Sequence, residues 1–271
     1  MEIIIPIIVL LAIGLLAALL LTVASAKFAV PEDERAAEIR ECLPGANCGS
    51  CGFSGCDGYA KALSEGKCDK TNLCTPGGAD AAGKISAILG IEGEAPVPRV
   101  AYVACGGSCS PEERKYRYEG TASCRGANLL YNGDKRCTYA CLGYGDCARV
   151  CPRGAITLSD GTAHIDPTAC IGCGVCAAEC PNGIIHVVPV TVHMSVRCSN
   201  RDKGAAVRRA CTHGCIACGK CVRTCEHGAI KLTDNLAVID YSLCTSCGKC
   251  REVCPVGAIE EENFSCGVKI G

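Results

Sequence analysis

Residues 170–181 read CIGCGVCAAECP, and residues 244–255 read CTSCGKCREVCP. Both follow C-x2-C-x2-C-x3-C-P. In such a run three closely spaced thiolates wrap one cuboidal [4Fe–4S] cluster, and the fourth ligates a neighbouring cluster. A third run, CIACGKCVRTCE at 215–226, keeps the spacing without the proline. Crossed ligation then predicts one cluster on Cys215, Cys218, Cys221 and Cys254, and another on Cys225, Cys244, Cys247 and Cys250. The same rule predicts a cluster on Cys151, Cys170, Cys173 and Cys176.

Working outward, Cys170 and Cys244 stand 74 positions apart, and the same offset relates Cys124 to Cys198, Cys137 to Cys211, Cys147 to Cys221 and Cys180-Pro181 to Cys254-Pro255. So many matches at one offset imply two copies of one structural unit. Within each copy a short hairpin is expected, over 157–166 around Asp160-Gly161 and over 231–240 around Asp234-Asn235. The first copy departs from the second at one ligand position, because Tyr144 stands where Cys218 stands. Two readings follow. Either Cys137 supplies the fourth ligand beside Cys141, Cys147 and Cys180, which is the favoured expectation, or three thiolates hold a three-iron cluster.

The block LPGANCGSCGFSGCDGYAKALSEGKCDKTNLCTPGG, residues 43–78, has a different spacing. Cys48, Cys51 and Cys56 form C-x2-C-x4-C, and Cys74 returns as a fourth ligand. Glycines at 45, 49, 52 and 55 let the backbone curl close to a cluster, and a helix over 58–66 would cover it with Tyr59, Ala60 and Leu63. Cys42 and Cys68 fall outside this spacing and read as spare thiols. Outside the five sites there also remain Cys105, Cys109, Cys124, Cys198, Cys211 and Cys266. A sixth cluster between the units is expected on Cys105, Cys124, Cys198 and Cys211, with Cys109 as the substitute.

Of the 271 residues, 28 are cysteine. Disulfides are a poor reading, since cysteines two residues apart seldom meet S–S geometry. Zinc prefers well-separated C-x2-C pairs over triplets closed by Cys-Pro. With no Trp, 3 Phe and 8 Tyr, a large aromatic core is excluded, and small metal-nucleated domains fit better. The net charge of −1 says nothing about nucleic acid, but no part of the chain reads as a nucleic-acid module, so no nucleic-acid partner is expected. No dinucleotide fingerprint and no P-loop occurs. The five histidines are scattered without metal or general-base spacing.

From Ile3 to Ala26 the chain carries 24 uncharged residues, mostly Ile, Leu, Val and Ala. As a helix they would reach roughly 36 Å, enough for a tilted crossing of a bilayer. Ala24-Ser25-Ala26 resembles a signal cleavage site, but the n-region has Glu2 and no Lys or Arg, and the apolar run is too long. An uncleaved anchor is expected, with the body on the reducing, cytoplasmic side. Between Arg197 and Arg223 stand seven Lys or Arg against the single acid Asp202. That face is either an ordinary solvated or subunit-contact surface, or a dock for an acidic redox partner.

Taken together, the apolar N-terminus, the NCGSCGFSGC…NLCTPGG block and the ferredoxin-like units resemble the B subunits of the Rnf complex, a membrane ferredoxin:NAD oxidoreductase. The first block alone is also similar to the cluster domain of corrinoid iron–sulfur proteins. The resemblance implies an electron-transfer subunit that takes electrons from soluble ferredoxin. It implies other membrane and peripheral Rnf subunits as partners, with flavin and NAD held by those partners and Na+ or H+ pumped by the complex. It implies a single-pass protein of the cytoplasmic membrane. The expected fold class is α+β. The expected division is a transmembrane anchor (1–27), a small α-rich [4Fe–4S] domain (28–90) and a linker with connecting segment (91–135). A first ferredoxin-like unit (136–187), a connecting segment (188–209), a second unit (210–260) and a tail (261–271) follow.

Overall fold

The computed structural model describes residues 4–27, 33–91, 97–107, 114–262 and 264. Cys109, Cys266 and residues 92–96 of the expected linker lie outside the described residues. Helix α1 (Ile4–Lys27) opens the chain, and its large apolar side chains, such as Leu15 at 72 % and Leu21 at 71 %, are exposed. The expectation that 1–27 crosses a membrane does not follow from the fold. Among the described residues no helix is long and apolar enough to cross a membrane.

Three helices build the next layer: α2 (Glu34–Glu41), α3 (Cys56–Ser64) and α4 (Gly78–Leu89). Asp33 caps α2 by accepting from the Arg35 amide at 3.1 Å. Their apolar faces meet at Ile39, Tyr59, Leu63 and Ile85, each almost fully buried. The Tyr59 hydroxyl donates to the Lys70 carbonyl at 2.6 Å and thereby pins the return loop that carries Cys74.

Two α+β units follow, and their elements correspond pairwise. The first has β1 (Arg99–Val103), α5 (Cys124–Asn128), α6 (Asp146–Arg149), β2 (Ile156–Ser159), β3 (Thr162–Ile165), α7 (Val175–Glu179) and β4 (Ile185–Pro189). The second has β5 (Met194–Val196), α8 (Gly204–Ala210), α9 (Lys220–Thr224), β6 (Ile230–Thr233), β7 (Leu236–Ile239), α10 (Lys249–Glu252) and β8 (Ile259–Glu261). The expected hairpins are the antiparallel pairs β2–β3 and β6–β7. Asp160 and Gly161, like Asp234 and Asn235, take positive φ, as tight two-residue hairpin turns require.

Residues 91–135 are more than a connecting segment. They supply β1, which pairs antiparallel with β4 in register Ala101 to Val187. The second unit repeats the arrangement, with β5 antiparallel to β8. Each unit therefore closes a strand from before its cysteine runs against a strand from after them. The units meet through the Tyr102 and Tyr241 hydroxyls, 3.1 Å apart, and through Phe264 packed on Val100, Tyr102 and Val188.

Candidate iron–sulfur centres

In each C-x2-C-x2-C run, left-handed residues coil the loop inward. The residue before the second cysteine has positive φ (Gly172, Ala217, Ser246), and so does the glycine after it (Gly174, Gly219, Gly248), where a short helix begins. The coil turns backbone N–H groups onto sulfur. Gly172 N donates to Cys170 Sγ and Ser246 N to Cys244 Sγ, both at 3.4 Å. The Gly-Ala pairs after Cys151 and Cys254 do the same, with Ala155 N to Cys151 Sγ at 3.4 Å and Ala258 N to Cys254 Sγ at 3.2 Å. Such donors favour thiolate over thiol and tune a bound cluster. Gly172 has a further reason to lack a side chain. A Cβ there would stand 2.3 Å from the Arg99 carbonyl, where β1 crosses the loop and Ala101 N reaches Cys170 Sγ.

Among the described residues, five spaces are each walled by four thiols. Cys48, Cys51, Cys56 and Cys74 surround one, beneath Tyr59. Cys151, Cys170, Cys173 and Cys176 surround the second, and Cys215, Cys218, Cys221 and Cys254 the third. Cys244, Cys247 and Cys250 are also neighbours, with Cys225 packed on the same core.

The other two spaces correct the expected grouping. Cys124, and not Cys137, stands with Cys141, Cys147 and Cys180. Cys137, and not Cys124, stands with Cys105, Cys198 and Cys211. The physical reason lies in α5. Ser123 caps that helix at the Gly126 amide, and Asp146 accepts from the Ser123 hydroxyl and the Arg125 amide at 2.9 and 3.0 Å. This clamp turns Cys124, buried with Ala127 and Leu142, toward Cys147. Tyr144 is swung out of the ligand position. Its hydroxyl donates to the buried Asp134 at 3.2 Å, and Asp134 also pairs with Arg114.

Burial pushes these thiols up: Cys141, Cys176, Cys198 and Cys221 to about 11 and Cys147 to about 12, with neighbouring sulfurs adding to the effect at Cys147. Thiolates held so close together need a cationic centre to offset their charge. Among the described residues no three His, Cys, Asp or Glu side chains converge closely enough to hold a single metal ion. Thiols spread around a space suit a four-iron cuboid better than a lone zinc. No disulfide joins two described cysteines. Cys42 and Cys68 stand apart from the rings, their Sγ atoms donating to the carbonyls of Glu38 and Lys70.

Comparison with known proteins agrees with this geometry. Residues 135–184 and 214–258 match a 4Fe-4S dicluster domain family, 169–230 match a second family of that description, and 43–76 match an Fe-S cluster family. The chain is 46 % identical to the B subunit of the proton-translocating ferredoxin:NAD(+) oxidoreductase complex of Clostridium ljungdahlii, over 86 % of its own length and 82 % of the relative's. It is 41 % identical to the B subunit of the Na(+)-translocating ferredoxin:NAD(+) oxidoreductase complex of Acetobacterium woodii, over 90 % of this chain and 73 % of that one. To the B subunit of the ion-translocating oxidoreductase complex of Methanosarcina acetivorans it is 38 % identical, over 87 % and 89 %. The chain belongs to this family of Rnf B subunits. Cysteine spacing alone did not reveal the role that Cys124 takes in this member of the family. The signal available was the Ser123-Cys124 pair, a helix cap directly ahead of a thiol.

Proposed function

We propose that the chain is the iron–sulfur electron-transfer subunit of a membrane-bound, ion-translocating ferredoxin:NAD+ oxidoreductase complex. The observation that carries this reading is the row of thiol rings, each lined with amide donors. The proposed ligand sets are Cys48, Cys51, Cys56 and Cys74; Cys124, Cys141, Cys147 and Cys180; Cys151, Cys170, Cys173 and Cys176; Cys215, Cys218, Cys221 and Cys254; and Cys225, Cys244, Cys247 and Cys250. The [4Fe–4S] clusters bound there supply one-electron transfer.

The chain's own contribution is to hold these sites in order and to control their access to water. Cys48 neighbours Cys173, and Cys176 neighbours Cys147, so the first three rings are consecutive. Among the described cysteines only Cys218 and Cys247 are exposed, and both belong to the second unit. We place the docking of soluble ferredoxin at that end, where Arg208, Arg209 and Lys220 supply a basic surface for an acidic partner. The opposite end of the row lies in the small helical domain that follows α1. We assign α1 as a single-pass anchor in the cytoplasmic membrane, with the body on the cytoplasmic side. One apolar helix offers no ion path, so pumping belongs to partner subunits, as do the flavin and nicotinamide sites.

Anaerobic purification with iron and acid-labile sulfide analysis tests the reading. At least about 20 irons per chain, and bleaching of the visible absorption by reduced ferredoxin, are expected. A colourless protein, or one carrying zinc, overturns it.

A further inference from the structure

We propose that the space between the two ferredoxin-like units is a sixth [4Fe–4S] site, held by Cys105 and Cys137 of the first unit and Cys198 and Cys211 of the second. This rests on the cubane reading of the other rings. All four thiols wall one space, as four thiols do at each of the four other thiol-lined spaces described above.

The site is built with two-fold correspondence. Cys105 follows β1 and Cys198 follows β5, the strands that close their units. Ala104 N donates to Ile184 O at 2.7 Å, and Arg197 N to Ala258 O at 2.8 Å. Ile184 and Ala258 are themselves partners in the repeat of 74 residues, as are Cys137 and Cys211. Cys141 N donates to Cys105 Sγ at 3.4 Å, and its repeat partner Cys215 N donates to Cys198 Sγ at 3.3 Å. Across the interface Gly106 N donates to Arg197 O at 2.8 Å, and the Ser199 hydroxyl to Ala104 O at 2.9 Å. Each unit thus offers two thiols in the same way, and neither holds the site alone.

Three further features fit a ligand here. Asn200, 1 % exposed, donates its side-chain amide to Cys137 Sγ at 3.3 Å and its backbone amide to Cys198 Sγ at 3.4 Å. Lys135, 3 % exposed, borders the space beside sulfurs that lose four protons on binding, as does Arg197, which is paired with Glu260 and Glu262. The site also adjoins the ring of Cys141 on one side and the ring of Cys215 on the other. A cluster here would stand between the rings of the first unit and those of the second.

Iron, sulfide and EPR on the full anaerobically purified chain test the proposal. About 24 irons are expected in the wild-type chain and about 20 in Cys105→Ala/Cys198→Ala, with the other EPR signals kept. Equal iron in the two chains overturns the sixth site. A wild-type value of about 20 overturns it while leaving the five-ring reading intact, and an iron-free chain defeats both. Should the double variant not fold, Asn200→Leu decides. Unchanged iron with a lowered midpoint potential in one cluster supports the site, and no shift in any cluster overturns it.

Discussion

Asn200→Leu separates a structural asparagine from one that sets a redox potential. The side-chain amide lies 3.3 Å from Cys137 Sγ and is shielded from water, so no solvent donor takes its place in the variant. A hydrogen bond to a charged acceptor is worth about 1.5–3 kcal/mol. Only the part that grows when the site gains an electron appears in the potential, so that figure is a ceiling. For one electron, 59 mV corresponds to a tenfold change, or about 1.4 kcal/mol, which makes the ceiling roughly 60–130 mV. The donor favours the more negative, reduced state, so its loss lowers the potential, by a few tens of mV when about half the bond energy is redox-dependent. The assay is an EPR-monitored redox titration of both chains with iron content matched. Asn200 also accepts from the Asp202 amide at 2.7 Å, so some loss of thermal stability accompanies the shift without explaining it. An unchanged potential, an upward shift, or equal shifts in every cluster would refute the reasoning.

Cys124→Ser and Cys137→Ser should perturb different clusters, the first altering the signal of the Cys141 ring and the second that of the inter-unit site. Identical EPR changes would restore the spacing-based grouping. Tyr144→Phe removes a donor from Asp134, which is 0 % exposed, and should cost about 1–3 kcal/mol in thermal unfolding with iron content unchanged. Removing residues 1–27 should move the chain from the membrane fraction to the soluble fraction while its visible spectrum persists. Charge reversal at Arg208 and Arg209 should slow reduction by ferredoxin at low salt and less so at high salt, and a salt-independent rate measured by stopped flow would exclude steering there.

The fold was legible wherever local chemistry dictated it. The coiled C-x2-C-x2-C loops, the hairpins at Asp160-Gly161 and Asp234-Asn235, and the helix over Tyr59 and Leu63 follow from residues close in sequence. The inter-unit grouping was not legible, because two offsets compete. Cys124 lies 74 positions before Cys198, yet the residue that stands in the place of Cys198 is Cys105, 93 positions before it. The difference, about 19 residues, lies between β1 and α5. No local signal says that β1 crosses back to β4, and that pairing alone brings Cys105 to the interface. Tyr144 marked where the first unit departs from the second, and in the proposed ligand set the replacement thiol is Cys124, held by a helix-capping clamp, and not the neighbouring Cys137.

Crossed ligation also dictates an order of synthesis. In the proposed ligand sets the Cys48, Cys151 and Cys225 rings each close within 27 residues of chain. Cys124, Cys141 and Cys147 must wait for Cys180, and Cys151 for the run at 170–176. The pair Cys105 and Cys137 waits longer still, until Cys211 leaves the ribosome. A nascent chain therefore carries unfinished thiol half-sites for most of its translation, exposed to oxidants and to competing metals such as zinc. On the proposed ligand sets maturation starts at the Cys48 end, and a chain stalled after the first unit leaves Cys105 and Cys137 without the two thiols of the second unit.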